Sequence, residues 1–161
     1  MPHYRRPAVP GGTWFFTVNL HQRRGNDLLV RHIDLLRATV ASVRTAHPFR
    51  VLAWVVLPDH MHWIWRLPDG DAGIDLRWRL IKRGFTRRLP HDLHPADTPS
   101  RRRRGERGVW QRRYWDHLIR DADDLHRHVD YVHFNPVKHG LVETPDAWPH
   151  SSYHGHPWAS R

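Results

Sequence analysis

The chain has 161 residues, enough for one domain with a real core but not comfortably for two. Lys plus Arg number 26 against 16 Asp plus Glu, a net charge of +10 with neutral His, so the partner should be polyanionic, nucleic acid before membrane. The lack of Cys excludes disulfide frameworks, Cys-type zinc sites and thiol catalysis; no apolar run of about 18 residues offers a membrane span, and an N-terminus without an apolar h-region predicts no signal peptide and a cytoplasmic location.

Residues 13–20 alternate, with Trp14, Phe16, Val18 and Leu20 on one face and Thr13, Phe15, Thr17 and Asn19 on the other, which predicts a strand. Ile33, Leu36, Val40 and Val43 recur at helical spacing over 31–46, and Pro48 marks the stop. Residues 50–57 are nearly all apolar, Pro58-Asp59 is turn chemistry, and 60–67 alternates again, so 50–67 reads as a hairpin. A second helix is predicted over about 74–89, with Ile74, Trp78, Ile81, Phe85 and Leu89 as its apolar stripe. Residues 90–108 read as a mobile basic loop containing Arg101, Arg102, Arg103 and Arg104. An extended segment follows at 109–115, then a third helix from about 121 to 134 that Asn135-Pro136 ends, then a short tail rich in Pro, His and Trp. This order fits an α+β fold: an antiparallel sheet of about four strands with helices packed on one face, similar to the ferredoxin-like arrangement, its other face partly open for a ligand.

Within 60–67, Met61, Trp63, Trp65 and Leu67 form the heavy apolar set and face the core. His60 and His62 then share the other face, about 6.5–7 Å apart along the strand, where two neutral imidazoles can converge on one divalent cation. Two ligands leave coordination open for substrate oxygens. On the third helix, Leu125, Val129 and Val132 form the apolar stripe, and Asp124, His128, Tyr131 and Asn135 form a second stripe beside it. Tyr131 and Asn135 are one turn apart, so the Asn carbonyl can face a metal while the phenol stands next to it. A phenol is a poor nucleophile unless its phenolate is stabilised, which an adjacent divalent cation can do. Asp124 is the alternative third ligand and His128 a candidate proton carrier. Tyr114 lies in an Arg- and aromatic-rich segment with Arg112 and Arg113, suited to stacking bases and holding phosphates. Arg79, Arg83 and Arg87 repeat every fourth residue opposite the apolar stripe of the second helix; like charges at that spacing disfavour a helix by a few tenths of a kcal/mol per pair, which a phosphate backbone relieves. Arg5 and Arg6 lie on an N-terminal arm that could read bases.

The combination of His60-Met61-His62 with Tyr131-x-x-x-Asn135 resembles the single-tyrosine HUH transposases, and within them the REP-associated tyrosine branch. Further segments carry the resemblance: 11–20, Trp54 through Asp59, Trp110-Gln111-Arg112-Arg113, His128-Val129-Asp130-Tyr131, Asn135-Pro136-Val137-Lys138-His139-Gly140 and Trp148-Pro149, from about Tyr4 to Trp158. The resemblance implies one HUH nuclease-type domain over residues 1–161. It implies Tyr131 as nucleophile, His60 and His62 as metal ligands, a third ligand on the tyrosine's helix placed at Asn135, and Mg²⁺ or Mn²⁺ as the ion. It also implies cleavage and rejoining of single-stranded DNA at repetitive extragenic palindrome hairpins through a 5′-phosphotyrosine, by a monomer associated with the bacterial nucleoid. The Arg-rich stretch at 97–107 is longer and more basic than that pattern. The competing readings are a non-catalytic hairpin DNA- or RNA-binding protein and a metal-dependent phosphodiesterase that uses water.

Overall fold

A computed structural model describes residues 5–104 and 108–155; Tyr4, Trp158 and residues 105–107 of the basic loop lie outside the described residues. Strands β1 (Thr13–Asn19), β2 (Arg50–Val56), β3 (His60–Arg66) and β4 (Trp115–Leu118) form an antiparallel sheet in the order β2-β3-β1-β4. The helices are α1 (Leu28–Arg31), α2 (Ile33–Ala46), α3 (Ile74–Arg88), α4 (Pro99–Arg103) and α5 (Ala122–Lys138). No helix among the described residues is long and apolar enough to cross a membrane. The α+β class and its antiparallel sheet are as expected.

One face of the sheet carries Trp14, Phe16, Val18, Trp54, Met61, Trp63 and Trp65 against Leu36 and Val40 of α2 and Trp78, Ile81 and Phe85 of α3. The indoles of Trp65 and Trp78 stack there at 4.2 Å between ring centroids. A bulge between Val51 and Ala53 shifts the β2–β3 register, which sends Val51 to this face and Ala53 to the other. The placing of all helices on one face needs correction. Phe15, Ala53, Val55 and Ile64 are themselves apolar and point to the opposite face, which α5 covers with Leu125, Val129 and Val132. A sheet that is apolar on both sides cannot leave one to water.

Two boundaries also moved. The extended segment expected at 109–115 contributes only a bridge from Trp110 to Leu20, and the ladder with β1 forms at 115–118. Helix α5 runs past Asn135-Pro136 to Lys138. Proline there removes one intrahelical donor without stopping the chain, and the stop is Gly140, at φ +70°, where the Gly140 N–H donates to Val137 O and the Leu141 N–H to Pro136 O. That is a Schellman closure, for which a left-handed glycine is the favoured residue. The basic loop contains a 3₁₀ turn at His91–Leu93 and the short helix α4, which Thr98 caps.

Candidate active site

The β2–β3 turn closes through the Leu57 N–H to His60 O, at 2.8 Å, so His60 opens β3 and His62 follows on the same face. That face lies under the C-terminal half of α5, so the two imidazoles are buried, not open to solvent; their ring centroids are 5.1 Å apart. Each ring is held through Nδ1. His60 Nδ1 lies 2.7 Å from Asp59 Oδ1, and because an ionised carboxylate only accepts, Nδ1 carries the proton and Nε2 the lone pair. Although burial opposes it, hydrogen bonds from His60 and Arg23 hold the Asp59 carboxyl below its ordinary range. His62 Nδ1 lies 2.9 Å from the Thr17 hydroxyl, its cross-strand partner on β1. Burial, with the nearby His60 and His139, pushes His62 down to about 3, so it is neutral at physiological pH, as a ligand must be.

Three buried polar atoms here lack a hydrogen-bond partner: His62 Nε2 and both amide atoms of Asn135. Asn135 is fully buried and lies next to His62, near enough to favour its protonated form, yet the two make no well-formed hydrogen bond. Leaving such groups unpaired costs about 1–3 kcal/mol each, and their juxtaposition is what a cation site of nitrogen and oxygen donors requires. His60, His62 and Asn135 therefore fit a divalent ion, with Asp59 and Thr17 as the outer partners that orient metal-binding imidazoles.

Tyr131, one turn before Asn135, is 39% exposed, and its ring lies 5.2 Å from that of His62 and 5.8 Å from that of Phe15. Lys138 sets its ammonium 4.9 Å from the Tyr131 ring centroid, and the His139 ring lies 5.0 Å from that of His60. A cavity of about 350 Å³ opens beside His60, lined by Arg23, Asn26, His139 and Leu141. Thr17, Asp59, Lys138 and His139 were missed from sequence. The first depends on strand register, and the last two on α5 continuing through Pro136.

The rest of the predicted stripe on α5 separates from this cluster. Asp124 lies eleven residues before Asn135, about 16 Å along the axis. It accepts from His117 Nε2 and from the Arg120 N–H, each at 2.9 Å, so it is not brought to His60 and His62. His128 Nδ1 donates to the Asp124 carbonyl at 2.8 Å and its ring packs on Phe15, so its proton is directed away from Tyr131. His117, Asp124 and His128 hold their donor atoms within 4.8 Å of one another, a spacing that suits a metal. Arg120 and Arg127, at 3.6 and 3.9 Å from the same carboxylate, oppose a further cation there.

Among the residues expected to meet nucleic acid, Arg79, Arg83 and Arg87 are exposed along α3 and line an open groove of about 680 Å³ with Lys82, Trp110 and Arg112. Arg112 also borders an adjoining cleft with Arg101, Arg104 and Arg113. Burial pushes the Lys82 ammonium down to about 8. Arg5 and Arg103 are exposed, while Arg102 pairs with Asp97 at 2.9 Å. Arg6 is committed to Asp116 in a two-pronged pair at 2.8 and 2.9 Å, and its guanidinium covers the Tyr114 ring at 4.4 Å. Tyr114 donates its hydroxyl to Asp75; burial and that bond raise its phenol, so it has neither a free face nor a ready phenolate.

No protein-family model matches the chain. It is 46% identical over 154 residues to the REP-associated tyrosine transposase of Escherichia coli (strain K12), covering 96% of this chain and 84% of that protein. A relative from Haemophilus influenzae is 42% identical over 154 residues, 96% of this chain and 86% of its own length. A solved structure of the REP-associated tyrosine transposase bound to a REP hairpin superposes with a TM-score of 0.80 at 41% identity, covering 100% of this chain and 92% of the other. The chain belongs to the REP-associated tyrosine transposase family.

Proposed function

We propose that this family member cuts and rejoins single-stranded DNA at repetitive palindromic hairpins, with Tyr131 as nucleophile and a divalent cation, Mg²⁺ or Mn²⁺, held by His60, His62 and Asn135. The observation that carries the proposal is the trio of unpartnered buried atoms on His62 and Asn135, one helical turn from an exposed phenol. A similar chain bound to a REP hairpin supports the choice of substrate. A cation bound at these donors supplies Lewis-acid charge neutralisation for the phosphate under attack. Asp59 and Thr17 hold the two imidazoles through Nδ1 and leave each Nε2 as the ligand atom. Lys138 holds its ammonium over the Tyr131 ring, a cation–π contact that keeps the ring in place and a positive charge beside the phosphate under attack. The Tyr131 oxygen forms a bond to phosphorus as the P–O3′ bond breaks. The phenol loses its proton and the departing 3′ oxygen gains one, leaving a 5′-phosphotyrosine and a free 3′-OH. One phosphodiester replaces another, so reversal by a 3′-OH rejoins DNA without a nucleotide cofactor. Arg79, Arg83, Arg87, Arg112 and Arg113 supply phosphate contacts along the grooves beside α3.

The test mixes the purified protein with labelled hairpins from repeats flanking its own gene, with Mn²⁺ or Mg²⁺, on a denaturing gel. A labelled protein band that requires metal and disappears in Tyr131→Phe and His62→Ala is expected. Metal-dependent cleavage that survives Tyr131→Phe establishes the water-using hydrolase instead. Tight complexes with no covalent band in either metal leave a binding protein.

A further inference from the structure

The basic groove and the nucleophile lie on opposite faces of the sheet. Tyr114 closes the groove side by packing on Phe16 and Trp78, whereas Tyr131 stands over Phe15 and His62 on the other side. A strand held in the groove must pass around the edge of the sheet to reach Tyr131, and on that side the edge is β4. The first residue of β4 is Trp115.

Trp115 is the only exposed tryptophan among the described residues, at 57%. Its register partner is Thr17, which in turn faces His62 across β3, so His62, Thr17 and Trp115 form one row across three strands on the α5 face. Two strand spacings put Trp115 about 10 Å from His62. Helix α5 covers the His62 end of this row and leaves the indole bare. The indole is nonetheless held in place. It lies parallel to the His117 imidazole, with 6° between the planes, and edge-on to Phe15 at 5.7 Å, the ring that also contacts Tyr131. Exposed guanidinium groups flank it in sequence at Arg112, Arg113 and Arg120. A rigid aromatic face bordered by cations, one ring away from a nucleophile, has the composition of a base-stacking platform.

We propose that Trp115 stacks the unpaired nucleobase next to the scissile phosphate, fixing the strand where it turns from the basic groove to Tyr131. This rests on the single-stranded DNA reading above and names the subsite that reading lacks. Stacking is tolerant of base identity, so the platform sets position along the strand and leaves sequence choice to other contacts.

The test measures binding of a hairpin oligonucleotide with single-stranded flanks to wild type, Trp115→Ala and Trp115→Phe. It is repeated with one abasic site at either nucleotide flanking the cleavage point, or at a distant flank position. Trp115→Ala should weaken binding of the intact oligonucleotide about 5- to 150-fold. Trp115→Phe, which keeps an aromatic ring on the edge strand, should lose much less. An abasic site at one flanking position should cost wild type a similar factor and Trp115→Ala little more, because the contact has already gone. Equal binding by wild type and Trp115→Ala, or an abasic penalty of the same size in both, overturns the platform. A covalent adduct from wild type together with either of those results overturns the platform alone. A Trp115-dependent abasic penalty without any adduct overturns the cleavage reading and leaves the platform standing. No binding by wild type overturns both.

Discussion

Replacing Thr17 by Val removes one hydroxyl and keeps the shape and β-branching that suit a strand. In the native chain that hydroxyl lies 2.9 Å from His62 Nδ1; His62 is 3% exposed, and the valine methyl fills the space the hydroxyl leaves. The imidazole is left with a buried polar atom unpaired, at a cost of about 1–3 kcal/mol of stability. Its second loss is orientation: with Nδ1 unheld, Nε2 is no longer fixed toward Asn135, and removal of such outer partners weakens metal binding about 10- to 100-fold. Urea unfolding in EDTA reads the first effect and calorimetric titration with Mn²⁺ reads the second, with Thr17→Ser restoring both. Binding of hairpin DNA without metal should not change. If Thr17→Val binds Mn²⁺ as tightly as wild type, His62 is not the ligand that Thr17 orients, and the site built on it fails.

Asn135→Leu replaces two unpaired amide atoms by an apolar group of similar size. It should raise stability in EDTA by about 1–3 kcal/mol while abolishing the thermal shift that Mn²⁺ gives wild type; a loss of stability in EDTA contradicts an unpaired Asn135. Removing Arg79, Arg83 and Arg87 together should make the slope of log K against log salt shallower by about 2–3 for hairpin DNA, and an unchanged slope places the DNA elsewhere. Lys82 sits near 8 when folded against an ordinary 10.5, so between these values the unfolded chain binds the extra proton and stability rises with pH. The rise should total about 3 kcal/mol from pH 8 to 10.5 and be absent in Lys82→Met, as followed by denaturant unfolding.

Much of this arrangement was legible along the chain because it is local. Alternation in 13–20 and 60–67 assigned each side chain to a face, and the four-residue spacing of Tyr131 and Asn135 set both on one side of a helix. What escaped depends on partners far apart in sequence. His60 and His62 look like residues on an open face until α5, some seventy positions later, is laid over Phe15, Val55 and Ile64. Tyr114 reads as a free stacking residue until Asp75, 39 positions earlier, accepts its hydroxyl and Arg6 covers its ring. Asn135-Pro136 reads as a stop because proline disfavours a helix, but only one hydrogen bond is lost; the glycine at 140 carried the true signal and brings Lys138 and His139 to the site.

The two faces of the sheet divide the work, and a pair of equal truncations separates them. Val40 on α2 is 1% exposed in the larger, tryptophan-rich core, and Val132 on α5 is fully buried in the smaller core behind the site. Val40→Ala and Val132→Ala each remove two methyl groups, worth about 2 kcal/mol in transfer and residual cavity. Their effects on chemistry should differ. Val132 lies between Tyr131 and Asn135 in sequence, so on the proposed mechanism its contacts with the sheet set the height of the proposed nucleophile and metal ligand over His62. A shift of about 1 Å in such a geometry can cost on the order of 100-fold in rate. Single-turnover formation of the tyrosine adduct, measured where urea titration shows both variants folded, should therefore be slowed in Val132→Ala and near wild type in Val40→Ala. Equal rates for the two variants would mean that α5 does not position the nucleophile through this packing and that Tyr131 reaches the phosphate by its own side-chain freedom.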